Sequence, residues 1–256
     1  VMLGVCKGIV ETTKAIRAVD DENVLVHVDA TDLYETANPD LAGEVSRRQE
    51  IVFLALDLIS GRVGPDHSLH SWLLSQAVSE KALIWFQENP AQFDLVGINL
   101  YPLFSRKVLE RRSYLRIKMP YAEANIVERL AELYFERYQV PIFISETASL
   151  GNVKRRARWL VDSVESTRHA RSRGIPLVGY TWWPLFALVT WAYRQGRNPP
   201  AYYLKQMGLW DLRENNGLER VATPLVDQYK QLVAAKNQSV GTIARHSSRR
   251  EVLLVP

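Results

Sequence analysis

Four stretches of the chain are unbroken apolar runs that end on polar or aromatic residues. They are VLVHVDA (Val24–Ala30), FDLVGINLYP (Phe93–Pro102), VPIFISE (Val140–Glu146) and IPLVGYTWW (Ile175–Trp183). Each leads towards a segment with helical apolar spacing. The first is followed by EVSRRQEIVFLALDLISG, closed by Gly61, and by Ser71–Gln87. Then come YAEANIVERLAELYFERYQ, VKRRARWLVDSVESTRHARSRG and TPLVDQYKQLVAAK, with one more helix over Ile9–Ala18. A strand that alternates polar and apolar residues has one wet face, whereas a continuous apolar run needs cover on both. Four such runs alternating with helices predict a parallel sheet under helices, an α/β fold. Leu103–Pro120 reads as a loop with some helix. With no linker or repeat in view, residues 1–235 are expected to form one domain and residues 236–256 a flexible basic tail.

The bulk numbers narrow the function classes. The 256 residues are 47% hydrophobic and 23% charged, the balance of a soluble globular chain, with net charge +4. Basic residues gather at segment ends rather than in a stripe interleaved with aromatics, so a nucleic-acid partner is not expected. No apolar run reaches the ~20 residues of a membrane span, and a membrane partner is not expected either. The single cysteine, Cys6, excludes an internal disulfide and agrees with a cytoplasmic location.

In parallel α/β folds the chemistry sits at the carboxyl ends of the strands. Here those ends carry Asp29, then Asn99 with Tyr101, then Glu146, then Trp182 and Trp183, with Trp191 just beyond. Asn99 and Tyr101 are two apart and so share a face. An amide, a phenol, a carboxylate and indoles on one rim suit a sugar, whose C–H face stacks on indole while its hydroxyls take hydrogen bonds. Each residue also has a plainer role. Glu146 has Arg155 or Arg156 as a candidate ion-pair partner, Asn99 is a turn-former, and Asp29 is a loop or capping residue. His27 reads as a hydrogen-bonded core histidine, and one of Trp182 and Trp183 should face the helices. Glu88, in ENP, precedes a strand and reads as helix surface.

FDLVGINLYP, VPIFISETASLG, RRARWLVDSV and GIPLVGYTWWPLFALVTWAYR occur here in the order seen in family 1 glycoside hydrolases, the β-glucosidase family, and MGLWDL before RVATPLVDQYKQLV is similar to that family's end. The resemblance spans about Val24 to Val233. It implies a (β/α)8 barrel of which only about the last four βα units are present, a half barrel. It implies retaining β-glycosidase chemistry with Glu146 as nucleophile and Asn99, Tyr101, Trp183 and Trp191 as substrate-binding residues. Tyr101 would hold the nucleophile ionised. No cofactor and no metal is implied.

The departures are specific. The family's T-E-N-G stands here as Ser145-Glu146-Thr147-Ala148, and carboxylates of the last motif are replaced by Ala187 and Thr190. A hydroxyl cannot make the charge-assisted pair of hydrogen bonds that a carboxylate makes to a sugar diol. Retention also needs a second carboxyl about 5 Å away as proton donor. In the family it lies in an N-E-P after strand four, ahead of the point where this resemblance begins. Asp29, Asp32 and Glu35 offer no convincing substitute in their spacing. The expected partners are therefore a β-glycoside or oligosaccharide and either a complementary N-terminal half or a second copy. The alternative is an inactive half barrel serving as a carbohydrate-binding or assembly module.

Overall fold

The computed structural model describes residues 1–213, 217–236, 243–244 and 251–252. The tail expected over 236–256 lies almost wholly outside them. The chain divides into two compact units, Val1–Val96 with Phe104–Tyr121, and Gly97–Leu103 with Ala122 onward.

The first unit contains α1 (Met2–Val19), β1 (Val26–Ala30), β2 (Leu33–Glu35), α2 (Ala42–Ile59), α3 (His70–Ser75) and α4 (Glu80–Glu88). It also holds the start of β3 (Leu95–Asn99), then β4 (Arg106–Arg111) and β5 (Leu115–Lys118). α2 buries Phe53, Leu54, Leu56, Leu58 and Ile59, the apolar stripe that its sequence displays. The single helix expected over Ser71–Gln87 is two. Ala77 takes a left-handed φ of 61°, and Ser79 caps a new start by accepting from the Ala82 N–H at 3.3 Å. A serine two residues past a left-handed turn stops one helix and nucleates the next. In β1 the side chains alternate, with His27 buried and Val26 and Val28 exposed. His27 stacks on Phe93 with ring centroids 5.0 Å apart, but its Nε2 has no hydrogen-bond partner and lies 3.8 Å from Asp29. The expected hydrogen-bonded histidine is thus buried but unsatisfied at that nitrogen.

Leu103–Pro120, expected to be a loop with some helix, holds a β-hairpin. β4 and β5 pair antiparallel from Val108–Lys118 to Arg111–Leu115, and β2 joins β4 in parallel. Its strands bury little beyond Leu109. A search for apolar runs passes over strands in which arginine and lysine make up half of the residues, whose long stems can lie along a sheet while the charges stay in water.

The second unit contains the end of β3, then α5 (Ile126–Tyr138), β6 (Ile142–Thr147), α6 (Val153–Ser172) and β7 (Leu177–Trp182). Short strands β8 (Leu188–Val189), β9 (Leu204–Lys205), β10 (Trp210–Arg213) and β11 (Glu219–Ala222) precede α7 (Pro224–Lys236). The four apolar runs are β1, β3, β6 and β7, neighbours in that order. β6 and β7 run parallel, with Ile142 opposite Leu177 and Phe143 opposite Gly179. Gly174 ends α6 at φ 88°, a conformation that costs glycine little. Val127 and Leu130 of α5 and Leu160 of α6 join Ile142, Ile144 and Leu177 in the core.

Gly179 is demanded by packing. A Cβ placed there would lie 2.5 Å from the Phe143 ring. Gly179→Ala is expected to cost about 1–3 kcal/mol by overpacking. Thermal denaturation should show a Tm several degrees lower, partly restored by adding Phe143→Leu. An unchanged Tm would mean that the ring moves aside freely.

Candidate functional site

The polar strand ends of the second unit meet. Tyr101, two residues past β3, donates its hydroxyl to Glu146 Oε2 at 2.6 Å. Beside it Ser145 Oγ donates to Asn99 Oδ1 at 2.7 Å. The backbones are joined as well, since the Leu100 N–H donates to the Glu146 carbonyl at 2.9 Å. Trp183, one residue past β7, packs edge-on against Tyr101 with centroids 6.4 Å apart, and its N–H donates to the Thr147 carbonyl at 3.0 Å.

Two consecutive residues of β6, Ser145 and Glu146, therefore both reach the end of β3. In a regular strand neighbouring side chains diverge. Here the β6–β7 register shifts between Ile144 and Thr147, and an extra residue of this kind re-aims side chains beside functional sites. The strand end is fixed from behind by Trp159 of α6, whose indole N–H donates to Thr147 Oγ1 at 3.0 Å. Of the tandem tryptophans, Trp182 is buried and donates to the Met207 carbonyl at 3.0 Å, while Trp183 is exposed, the split that alternation predicts.

Burial, followed by the hydrogen bond to Glu146 and the charge of that carboxylate, pushes the Tyr101 phenol far above its ordinary range. It therefore remains a donor into strongly alkaline solution. Glu146 is half-buried. Arg156, one of its candidate ion-pair partners, is committed elsewhere. It donates to the Gly208 carbonyl at 2.6 Å and pairs with Asp211 at 2.8 Å.

Among the residues proposed from sequence, direct contacts join Glu146, Tyr101 and Trp183, and Asn99 enters through Ser145. Trp191 is largely exposed, with the Arg194 guanidinium 4.2 Å over its ring. Sequence reasoning missed Ser145; the signal was a small hydroxyl residue directly before the strand-end glutamate. In the first unit, Asp32 pairs with Lys107 at 3.6 Å and Glu35 with Arg106 at 2.8 Å. Asp29 lies by His27. Among the described residues no three His, Cys, Asp or Glu side chains converge as a metal site.

No family model and no curated protein sequence matches the chain. Solved structures do. The family 1 β-glucosidase from Thermotoga maritima aligns at TM-score 0.75 and 16% identity, over 94% of this chain and 56% of that one. The same enzyme in complex with castanospermine gives 0.77 and 16%, and in complex with azafagomine 0.76 and 15%, with the same coverage. The fold is a partial (β/α)8 barrel. The chain spans a little over half the length of these neighbours, in keeping with the expected half barrel. In the half barrel, β3, β6 and β7 are consecutive barrel strands, and Glu146, Asn99, Tyr101 and Trp183 stand at their carboxyl ends, where barrel enzymes place their chemistry.

Proposed function

We propose that the second unit carries the nucleophile side of a retaining β-glycosidase. The observation behind this reading is the 2.6 Å hydrogen bond from Tyr101 to Glu146 at adjoining strand ends, beside the exposed ring of Trp183. Glu146 attacks the anomeric carbon of a β-glycoside, the bond to the leaving oxygen breaks, and a glycosyl ester forms on the carboxylate. Tyr101 keeps Glu146 ionised and aimed. Asn99, its carbonyl occupied by Ser145, turns its amide N–H groups towards sugar hydroxyls. Trp183 lies under the sugar ring, and Trp191 forms part of the rim. The proton donor is a glutamate on a complementary half of the barrel, so glycosides with poor leaving groups need that partner.

A dinitrophenyl 2-deoxy-2-fluoro-β-glycoside separates the two roles, because dinitrophenolate leaves without a proton. Incubation with this chain, intact-mass measurement and peptide mapping should place one sugar on Glu146. A label on another residue would overturn the assignment.

A second reading, an inactive assembly module, draws on the exposed Val26 and Val28 of β1, valines of the type barrels bury. It predicts association in sedimentation velocity at micromolar concentration. A single sharp monomer boundary would count against it.

A further inference from the structure

Thr147 joins three parts of the second unit. It is fully buried at the end of β6, directly after Glu146 and opposite Trp182 of β7. Its carbonyl accepts the Trp183 N–H at 3.0 Å, and its Oγ1 accepts the indole N–H of Trp159, also at 3.0 Å. Trp159 belongs to the buried face of α6 and is 3% exposed. An indole N–H only donates, so the direction of this bond is fixed, with Thr147 as acceptor. Both groups are out of water, where losing either partner strands the other.

Regular strand pairing does not secure this place. The β6–β7 register is broken between Ile144 and Thr147, the interval that contains Glu146. An irregularity of this kind disrupts the ladder and lets the strand bend. Towards β3, Glu146 is fixed by the Leu100 N–H on its carbonyl at 2.9 Å and by the Tyr101 hydroxyl on its carboxylate. Towards the helical layer, the fixed point is the next residue, Thr147, held by Trp159. We infer that Trp159 is a positioning residue for Glu146, acting through Thr147 and not on the sugar. The chemical consequence rests on the reading of Glu146 as nucleophile. Attack tolerates little displacement, and a shift of about 1 Å costs up to about a hundredfold in rate. Trp183 has a second anchor beside it, since the Trp182 indole donates to the Met207 carbonyl at 3.0 Å. Loss of the Trp159 bond should therefore slow the attack and leave sugar binding nearly unchanged.

Three variants test this. Trp159→Phe removes the donor, Thr147→Val removes the acceptor at nearly constant shape, and Thr147→Ser keeps the hydroxyl. In saturation kinetics of labelling by the dinitrophenyl fluoroglycoside, the maximal rate should fall about tenfold in the first two, with the half-saturating concentration within about twofold of wild type. Thr147→Ser should stay close to wild type, and the Trp159→Phe, Thr147→Val double variant should be no slower than either single change. Amide hydrogen exchange gives a readout independent of activity. Exchange at Leu100 and Trp183 should quicken about tenfold in the first two variants, with core amides of α5 such as Val127 and Leu130 unaltered. A wild-type labelling rate in Trp159→Phe overturns the proposal. So does a Thr147→Ser protein as slow as Thr147→Val, which would assign the effect to methyl packing, or a loss confined to the half-saturating concentration. If the wild-type chain takes up no label, the glycosidase reading fails, and exchange decides the positioning alone: unchanged rates at Leu100 and Trp183 overturn it.

Discussion

Glu146→Gln is expected to abolish glycosylation by a dinitrophenyl fluoroglycoside, a loss on the order of 10⁴-fold or more, as for removal of a nucleophile. Glutamine keeps the shape of the side chain and accepts the Tyr101 hydrogen bond through its carbonyl, so the fold should survive while the attacking lone pair is lost. Tyr101→Phe should give an intermediate result. It removes a charge-assisted hydrogen bond of 2.6 Å, and its rate should fall by about 10–100-fold. Because the phenol stays protonated well past its usual range, the wild-type rate should show no decline from Tyr101 ionisation up to pH 10 or so. Time-resolved mass spectrometry reads all three proteins. If Glu146→Gln labels as fast as wild type, the carboxylate has no chemical role. If Tyr101→Phe matches wild type, the tyrosine is only packing.

Arg156→Met is expected to be the most damaging single change for stability. The guanidinium is 1% exposed on α6, donates to the Gly208 carbonyl and pairs with Asp211. Removing the guanidinium leaves the Gly208 carbonyl and the partly exposed Asp211 without their partner and its space unfilled, at up to about 3–5 kcal/mol. For a chain of this size that corresponds to a Tm lower by roughly 10 °C. Asp211→Asn leaves the guanidinium an amide oxygen to donate to as well as the Gly208 carbonyl, so it should cost less than Arg156→Met, which removes the guanidinium altogether. A double variant with apolar residues at both positions should recover much of the loss, because it leaves no charge stranded. Thermal unfolding by circular dichroism provides the comparison. An Arg156→Met protein melting within about 2 °C of wild type would show that water already reaches the pair.

The parts of the fold written in apolar patterning were legible in the sequence. VLVHVDA, FDLVGINLYP, VPIFISE and IPLVGYTWW are β1, β3, β6 and β7 in order; the unbroken apolar signature matches burial on both faces in β3, while β1 carries it with Val26 and Val28 exposed. Glu146 stood out because a carboxylate closing such a run needs a partner, and Tyr101 is that partner. What escaped notice was written in other terms. The β4–β5 hairpin is stabilised by backbone pairing and cross-strand charge rather than by a buried face, so apolar spacing was silent. The break between α3 and α4 depended on one backbone conformation at Ala77. Ser145 was passed over as a site residue because strand alternation turns it away from Glu146, and only the register shift in β6 reunites them. Trp191 matched a motif by position, yet its ring contact is with Arg194, a pairing set by a turn that no periodicity describes.

The irregular register of β6 also limits how this protein can evolve. Two adjacent side chains that serve one hollow depend on counting as much as on chemistry. Exchanging a residue near Ile144 alters one group, whereas losing or gaining a single codon there would rotate the carboxylate towards the helical layer and dissolve the arrangement at once. Descendants of this chain are therefore freer to vary composition along that strand than to vary its length.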